Sequence, residues 1–165
     1  MLVYHKPDKA KAYLMTLYDL ESIKIIAECE PGWACHDVKW TKDYLIKVWS
    51  TSGGGTRFEY RSYEDLSIVR EVVSYHPFED VEDSILINPD STMRKIEFYN
   101  YSDGTEIKTI DCLRELADKN IFAGWIQINE VKKVGKLKYE FYIEGNLSME
   151  GREEEEFRTI SDIQI

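Results

Sequence analysis

Residues with the means to do chemistry are few in this chain. Cys35, His36 and Asp37 stand together in "ACHDVKW" and supply the residue types of a nucleophile, a base and an orienting carboxylate. Neighbours on a strand point to opposite faces, so three consecutive side chains cannot form the hydrogen-bonded series that activates a thiol. The other histidines are His5, in an N-terminal stretch expected to fray, and His76, which precedes Pro77 in a turn. Neither has a second histidine at metal-ligand spacing. Four carboxylates, Glu79, Asp80, Glu82 and Asp83, crowd into "FEDVEDS". Oxygen ligands at that density suit calcium, but the EF-hand spacing with its central glycine and terminal glutamate is missing, and the plain reading is a solvated acidic loop. "GGGT" at Gly53 to Thr56 has no following lysine or helix and is not a phosphate loop. The expectation is a chain with no catalytic residues, no cofactor and no metal, and not an enzyme.

The elements that must carry these residues are mostly strands. "YLIKVWS" (Tyr44 to Ser50), "TRFEYRS" (Thr56 to Ser62), "MRKIEFYN" (Met93 to Asn100) and "KLKYEFYIEG" (Lys136 to Gly145) alternate apolar and polar residues, as half-buried strands do. Turn residues separate them: "WTKDY" before Tyr44, "NPDST" at Asn88 to Thr92, "YSDGT" at Tyr101 to Thr105, and "VGK" at Val134 to Lys136. Asp103-Gly104 is the clearest hairpin signal, because glycine accepts positive φ where other residues strain. One helix is predicted near 111–119: Asp111 caps it, Cys112, Leu113 and Leu116 share a face, and Lys119-Asn120 suit its C-terminal end.

The stretch "YLMTLYDLESIKIIAE" from Tyr13 is answered by "YRSYEDLSIVREVVS" from Tyr60. In an ungapped register Tyr18 falls on Tyr63, Ser22 on Ser67 and Ile23 on Ile68, and "YNYSDGTEIKTI" (Tyr99 to Ile110) is a weaker third copy. A period of about 40–45 residues carrying about four strands is the size of a β-propeller blade. The Gly-His and Trp-Asp pairs of WD40 repeats are absent. The fold class expected is therefore mainly β: antiparallel hairpins in a curled sheet, with blade-like repeats as one form and a sandwich or barrel as others.

At 165 residues, 43% of them hydrophobic, the chain has the size and composition of one globular domain spanning 1–165. "STSGGGT" (Ser50 to Thr56) fits a hairpin loop better than a linker. The N-terminus lacks the apolar core of a secretory signal and no stretch is long and apolar enough to span a bilayer, so the expected compartment is the cytoplasm. Cys29, Cys35 and Cys112, an odd number without a CxxC pair, read as reduced thiols.

Charge is the most uneven feature. The net charge is −10. Residues 1–50 balance, whereas residues 59–83 hold Glu59, Glu64, Asp65, Glu71, Glu79, Asp80, Glu82 and Asp83 against Arg61 and Arg70. Residues 140–165 hold a second excess that includes Glu153, Glu154, Glu155 and Glu156. Such acidity repels nucleic acid and anionic membrane, whose binding needs Lys and Arg. It suits either solubility or steering of a basic protein partner, with aromatic anchors beside it. The partner-binding residues expected are Tyr60, Tyr63, Glu64, Asp65, Glu79, Asp80, Glu82 and Asp83, with Glu153 to Glu156 as a second patch.

In size, acidity and lack of catalytic residues the chain resembles bacterial immunity proteins, a group without a common fold. The resemblance implies an inhibitor that occludes the active site of a basic toxin, a nuclease for example, with its acidic surface. Two other classes stand beside it: a structural module of stacked β-repeats, and a small-ligand binder or enzyme, which requires a pocket with converging polar groups.

Overall fold

The structure is a computed structural model that describes residues 1–5, 14–30, 36–90, 92–118, 123–147 and 155–164. It is mainly β, as the alternation predicts, with antiparallel sheets of three or four strands and one short helix. Backbone packing resolves two compact units, Met1–Val73 with Ser102–Gly104, and Ser74–Tyr101 with Thr105–Ile165.

Unit 1 contains two up-and-down sheets. The first joins β1 (Leu2–His5), β2 (Leu14–Asp19) and β3 (Lys24–Cys29); the second joins β4 (Asp37–Trp40), β5 (Leu45–Ser50), β6 (Thr56–Arg61) and β7 (Ile68–Ser74) in sequence order. Met15, Leu17, Ala27, Leu45 and Leu66 form a buried cluster, flanked by the half-buried Val38 and Tyr63. β5 is buried on both faces, so Lys47 lies within the protein at 0% exposure. It survives there because Glu59 and Arg61 of β6 accompany it. Arg61 Nη2 is 2.6 Å and Lys47 Nζ 3.7 Å from Glu59 Oε2, while Trp49 Nε1 donates to Oε1 at 2.6 Å. A charge so deeply buried must be paired and hydrogen-bonded to be tolerated.

Unit 2 contains β8 (Phe78–Asp80), β9 (Ile85–Asp90), β10 (Lys95–Asn100) and β11 (Glu106–Asp111), ordered β11-β10-β9-β8, then α1 (Cys112–Asp118) and the sheet β12 (Trp125–Gly135), β13 (Lys138–Leu147) and β14 (Glu155–Gln164). Its core is continuous: Ile85, Ile87, Ile96, Phe98, Ile126, Ile128, Tyr139, Phe141 and Ile143 alternate inward along their strands and meet Cys112 and Leu116 of the helix. Each large side chain so buried contributes roughly 1.5–3 kcal/mol. The helix is capped as expected, with Asp111 Oδ1 accepting from Leu113 N and Arg114 N at 3.0 and 3.2 Å. Lys119 and Asn120 lie outside the described residues.

The first strands of the four sheets begin at Leu2, Asp37, Phe78 and Trp125, intervals of 35, 41 and 47 residues that bracket the expected period. The detailed register is different. The turns closing β2–β3, β6–β7 and β10–β11 place Ile23, Leu66 and Gly104 at positive φ, 54°, 58° and 69°. The structural offset between the first two copies is thus 43 residues, two fewer than the ungapped match of Tyr18 to Tyr63 and Ile23 to Ile68. Residue likeness misled because the backbone turn, not the side chain, is what repeats. Tyr18 belongs to a strand, whereas Tyr63 sits in a turn.

Turns behave as the residues suggest, with two corrections. Gly54 (φ 84°) and Gly104 take the left-handed conformation in their hairpins. In "VGK", however, the left-handed residue is Leu137 (φ 53°) rather than the glycine. "NPDST" is also less of a turn than expected, since Asn88, Pro89 and Asp90 continue β9. Proline is tolerated there because β8 pairs only with Ile85–Ile87, leaving Pro89 beyond its reach. His5 is not frayed either: it pairs with Leu14 across β1–β2.

Candidate functional site

The cluster "FEDVEDS" is not a solvated loop. β8 and the β8–β9 turn bring its acids around Lys133 of β12, whose Nζ is 2.9 Å from Asp80 Oδ2, 2.9 Å from Asp83 Oδ2 and 3.2 Å from Glu82 Oε2. Tyr139 donates to Asp80 Oδ2 at 2.7 Å and Leu137 N to Asp83 Oδ2 at 3.0 Å. Burial alone would raise the Asp80 carboxyl, but the bonds from Lys133 and Tyr139 outweigh it and hold it below the usual range. Lys133 in turn is pushed up, mostly by its bonds to Asp83 and Asp80. An ammonium group therefore occupies the position a metal ion would take among these carboxylates, and the arrangement ties β12 to the β8–β9 turn.

The expected partner-binding residues accordingly separate. Tyr60 is fully buried in unit 1, its ring beneath Gly104, and offers no surface. Asp80 is 6% exposed and committed to Lys133, so it too is interior. Asp83 is nearly as buried at its side chain, and Glu79 is half-buried and accepts the Tyr101 hydroxyl at 2.8 Å. Tyr63 is half-buried, stacked on Trp40, with its hydroxyl 2.7 Å from the Thr41 and Tyr44 carbonyls. It holds the β4–β5 turn rather than projecting from the surface. Of these residues in the 60–83 segment, Glu64, Asp65 and Glu82 are exposed. Glu153 and Glu154 lie outside the described residues, and Glu155 and Glu156 open β14, pairing with Leu147 and Asn146.

The other candidates for chemistry find structural employment. Cys35 lies outside the described residues. Asp37 begins β4 and bonds its own neighbour, Val38 N, at 2.8 Å. His5 meets Thr16 Oγ1 at 3.0 Å, and Thr16 donates to Glu28 at 2.8 Å, a series legible only once strand register is known. Thr16 is fully buried, whereas His5 is half-buried and Glu28 exposed, so the series ties the three strands from the core to the surface. The Cys112 thiol is pushed up to about 12, chiefly by burial, and is a core residue rather than a nucleophile.

What presents a concave surface is a groove of about 570 Å³ in unit 2 that charge counting did not single out. One wall is Trp125–Asn129 of β12, an edge strand of its sheet; the other includes Pro89, Asp90 and Thr92, with Tyr75 and His76. A smaller cleft of about 200 Å³ adjoins it, reaching Phe78 and Glu130. Tyr75 and Trp125 are unusually exposed for aromatics, at 55% and 43%. Among the described residues no Lys or Arg lines either cavity, and His76 lines both. The signal in the sequence was faint: the alternation in "WIQIN".

Among the described residues no helix is long and apolar enough to cross a membrane. No protein-family model matches the chain, and no curated protein sequence matches it.

Proposed function

We propose that this chain acts by binding a basic protein partner, and that it is an inhibitor of the immunity type, which neutralises a toxin such as a nuclease by covering its active site. The observation that carries the reading is the coincidence of charge and shape in unit 2. That unit holds 19 acids against 11 bases, net −8 of the chain's −10, and it also contains the aromatic groove, with no Lys or Arg among its described lining residues. Acidic surface steers a basic partner and sets the salt dependence of association, while exposed Tyr and Trp are the residue types that anchor interfaces. The recognition surface proposed is thus moved from the residue 59–83 segment, much of whose charge is internally paired, to unit 2 as a whole, with the exposed Glu82 at its margin. In this reading the protein works in the cytoplasm, without cofactor, and by occlusion rather than catalysis.

The test is capture of partners from source-cell lysate at low and high salt, followed by an activity assay on the captured chain. A stoichiometric basic protein whose association weakens with salt, and whose enzymatic activity falls on adding the chain, supports the reading. A partner whose activity is untouched, or no partner at either salt, overturns it.

A further inference from the structure

We infer that the unit 2 groove binds a neutral saccharide, a short β-linked chain of pyranose rings with equatorial hydroxyls. The inference goes beyond the proposal of a basic partner, because it concerns what the groove itself holds, and it stands or falls on sugar titrations alone. The first observation is how one wall is built. Along β12 the side chains alternate, with Ile126 and Ile128 buried in the core of the unit and Trp125, Gln127 and Asn129 exposed and lining the groove. Side chains two residues apart on a strand stand about 7 Å apart, so they address successive groups of one extended ligand rather than a single point. The ladder to β13 passes from Ile128↔Ile143 to Glu130↔Tyr142, which leaves Asn129 as an extra residue in a bulge. Bulges re-aim side chains and recur beside binding sites.

The second observation is the kind of groups that converge. Trp125 and Tyr75 line the groove with 43% and 55% of their surface exposed, a large apolar area left open to solvent. The C–H faces of an equatorially substituted pyranose are flat and apolar and stack on such rings, whereas its rim carries hydroxyls. Gln127 and Asn129 offer both donors and acceptors, Thr92 a hydroxyl and His76 its ring nitrogens, while Asp90 in the main chamber and Glu130 in the adjoining cleft offer acceptors. A sugar hydroxyl both donates and accepts, so it satisfies either kind. A proline-rich segment, the other ligand that aromatic grooves take, presents chiefly carbonyl acceptors and would leave the two carboxylates without donors on desolvation. An anionic ligand is disfavoured, since no Lys or Arg is among the described lining residues and the unit is acidic. The main chamber of about 570 Å³ shares His76, Pro89, Ile128 and Asn129 with the cleft of about 200 Å³, so the space is extended and suits several linked rings better than one.

The probes are cellotetraose and chitotetraose, neutral chains of β-linked glucose and N-acetylglucosamine, titrated into the full chain by calorimetry beside cellotetraose oxidised to a carboxylate on every ring. We expect one or both neutral chains to bind at a single site, and the oxidised chain to bind at least about tenfold more weakly, repelled by the acidic unit. Trp125→Ala and Tyr75→Ala should each lower the affinity at least about tenfold, whereas Trp125→Phe, which keeps a ring face, should retain most of it. Both positions are exposed, and an unchanged urea midpoint shows that each variant is folded. Gln127→Ala, also at an exposed position, should weaken binding through the polar side of the same wall. No saturable binding of either neutral chain, an oxidised chain bound as tightly as its parent, or an affinity unchanged in Trp125→Ala and Tyr75→Ala overturns the inference.

Discussion

Replacing Gly104 by alanine tests how unit 1 is closed over Tyr60. Gly104 has φ +69°, and a Cβ placed on it would come within 2.5 Å of Tyr60 Cε2 and 2.7 Å of Cδ2. Two costs add. The left-handed backbone is unfavourable for a residue with a Cβ by about 1 kcal/mol. Forcing a methyl group against a ring of 0% exposure adds about 1–3 kcal/mol of overpacking. Gly54 provides the control, because its φ is +84° and a Cβ there would meet nothing within 4 Å. Gly54→Ala should therefore cost about 1 kcal/mol and Gly104→Ala about 3 kcal/mol. Urea unfolding followed by tryptophan fluorescence, to which the buried Trp49 contributes, reads both. In a Tyr60→Ala background, where the ring is gone, the additional cost of Gly104→Ala should shrink to that of Gly54→Ala. Equal costs of the two glycine substitutions in the wild-type background, or no coupling to Tyr60, would refute the reasoning.

Three further outcomes follow from the buried charges and the thiol. Glu59→Gln leaves Lys47 and Arg61 buried beside a neutral amide and should destabilise by about 3–5 kcal/mol, measured by urea unfolding, whereas replacing all three by apolar residues of similar volume should be far better tolerated. Because Asp80 is held below its ordinary value of 3.8, its contribution is complete above that value and is lost as pH falls through the lower folded value. In Lys133→Met the burial that opposes ionisation is no longer outweighed, so the acid unfolding midpoint should move to higher pH; circular dichroism across pH 2–6, a range of roughly the carboxylate titration, decides it, and an unmoved midpoint refutes the pairing. With Cys112 as the sole cysteine, its thiol pushed up to about 12, labelling by a disulfide reagent at about pH 8 should proceed only as fast as unfolding, and rapid labelling of the native protein would refute its burial.

Local chemistry determined a good part of this protein from the sequence alone. Alternation specified strands at Leu45–Ser50, Thr56–Arg61, Lys95–Asn100 and Lys138–Leu147 to within two residues at most boundaries, because a strand's two faces are written into consecutive residues. The Asp111 cap, the helix and the Asp103-Gly104 hairpin were legible for the same reason: each depends on side chains within a few positions of the backbone they serve. Tertiary structure alone decided which charges are surface. Counted along the chain, Asp80, Glu82 and Asp83 are an acidic patch; in the fold Lys133, fifty positions away, is inserted among them, and Glu59 is enclosed with Lys47 and Arg61. Coulombic pairing acts over a few ångströms of space and is indifferent to sequence separation, so a tally of signs cannot see it. The groove escaped for a related reason. It lies where β8, which begins only opposite Ile87, leaves Asn88–Asp90 of β9 without it and where β12 is at an edge of its sheet, and those are properties of strand pairing between distant segments rather than of any segment read by itself.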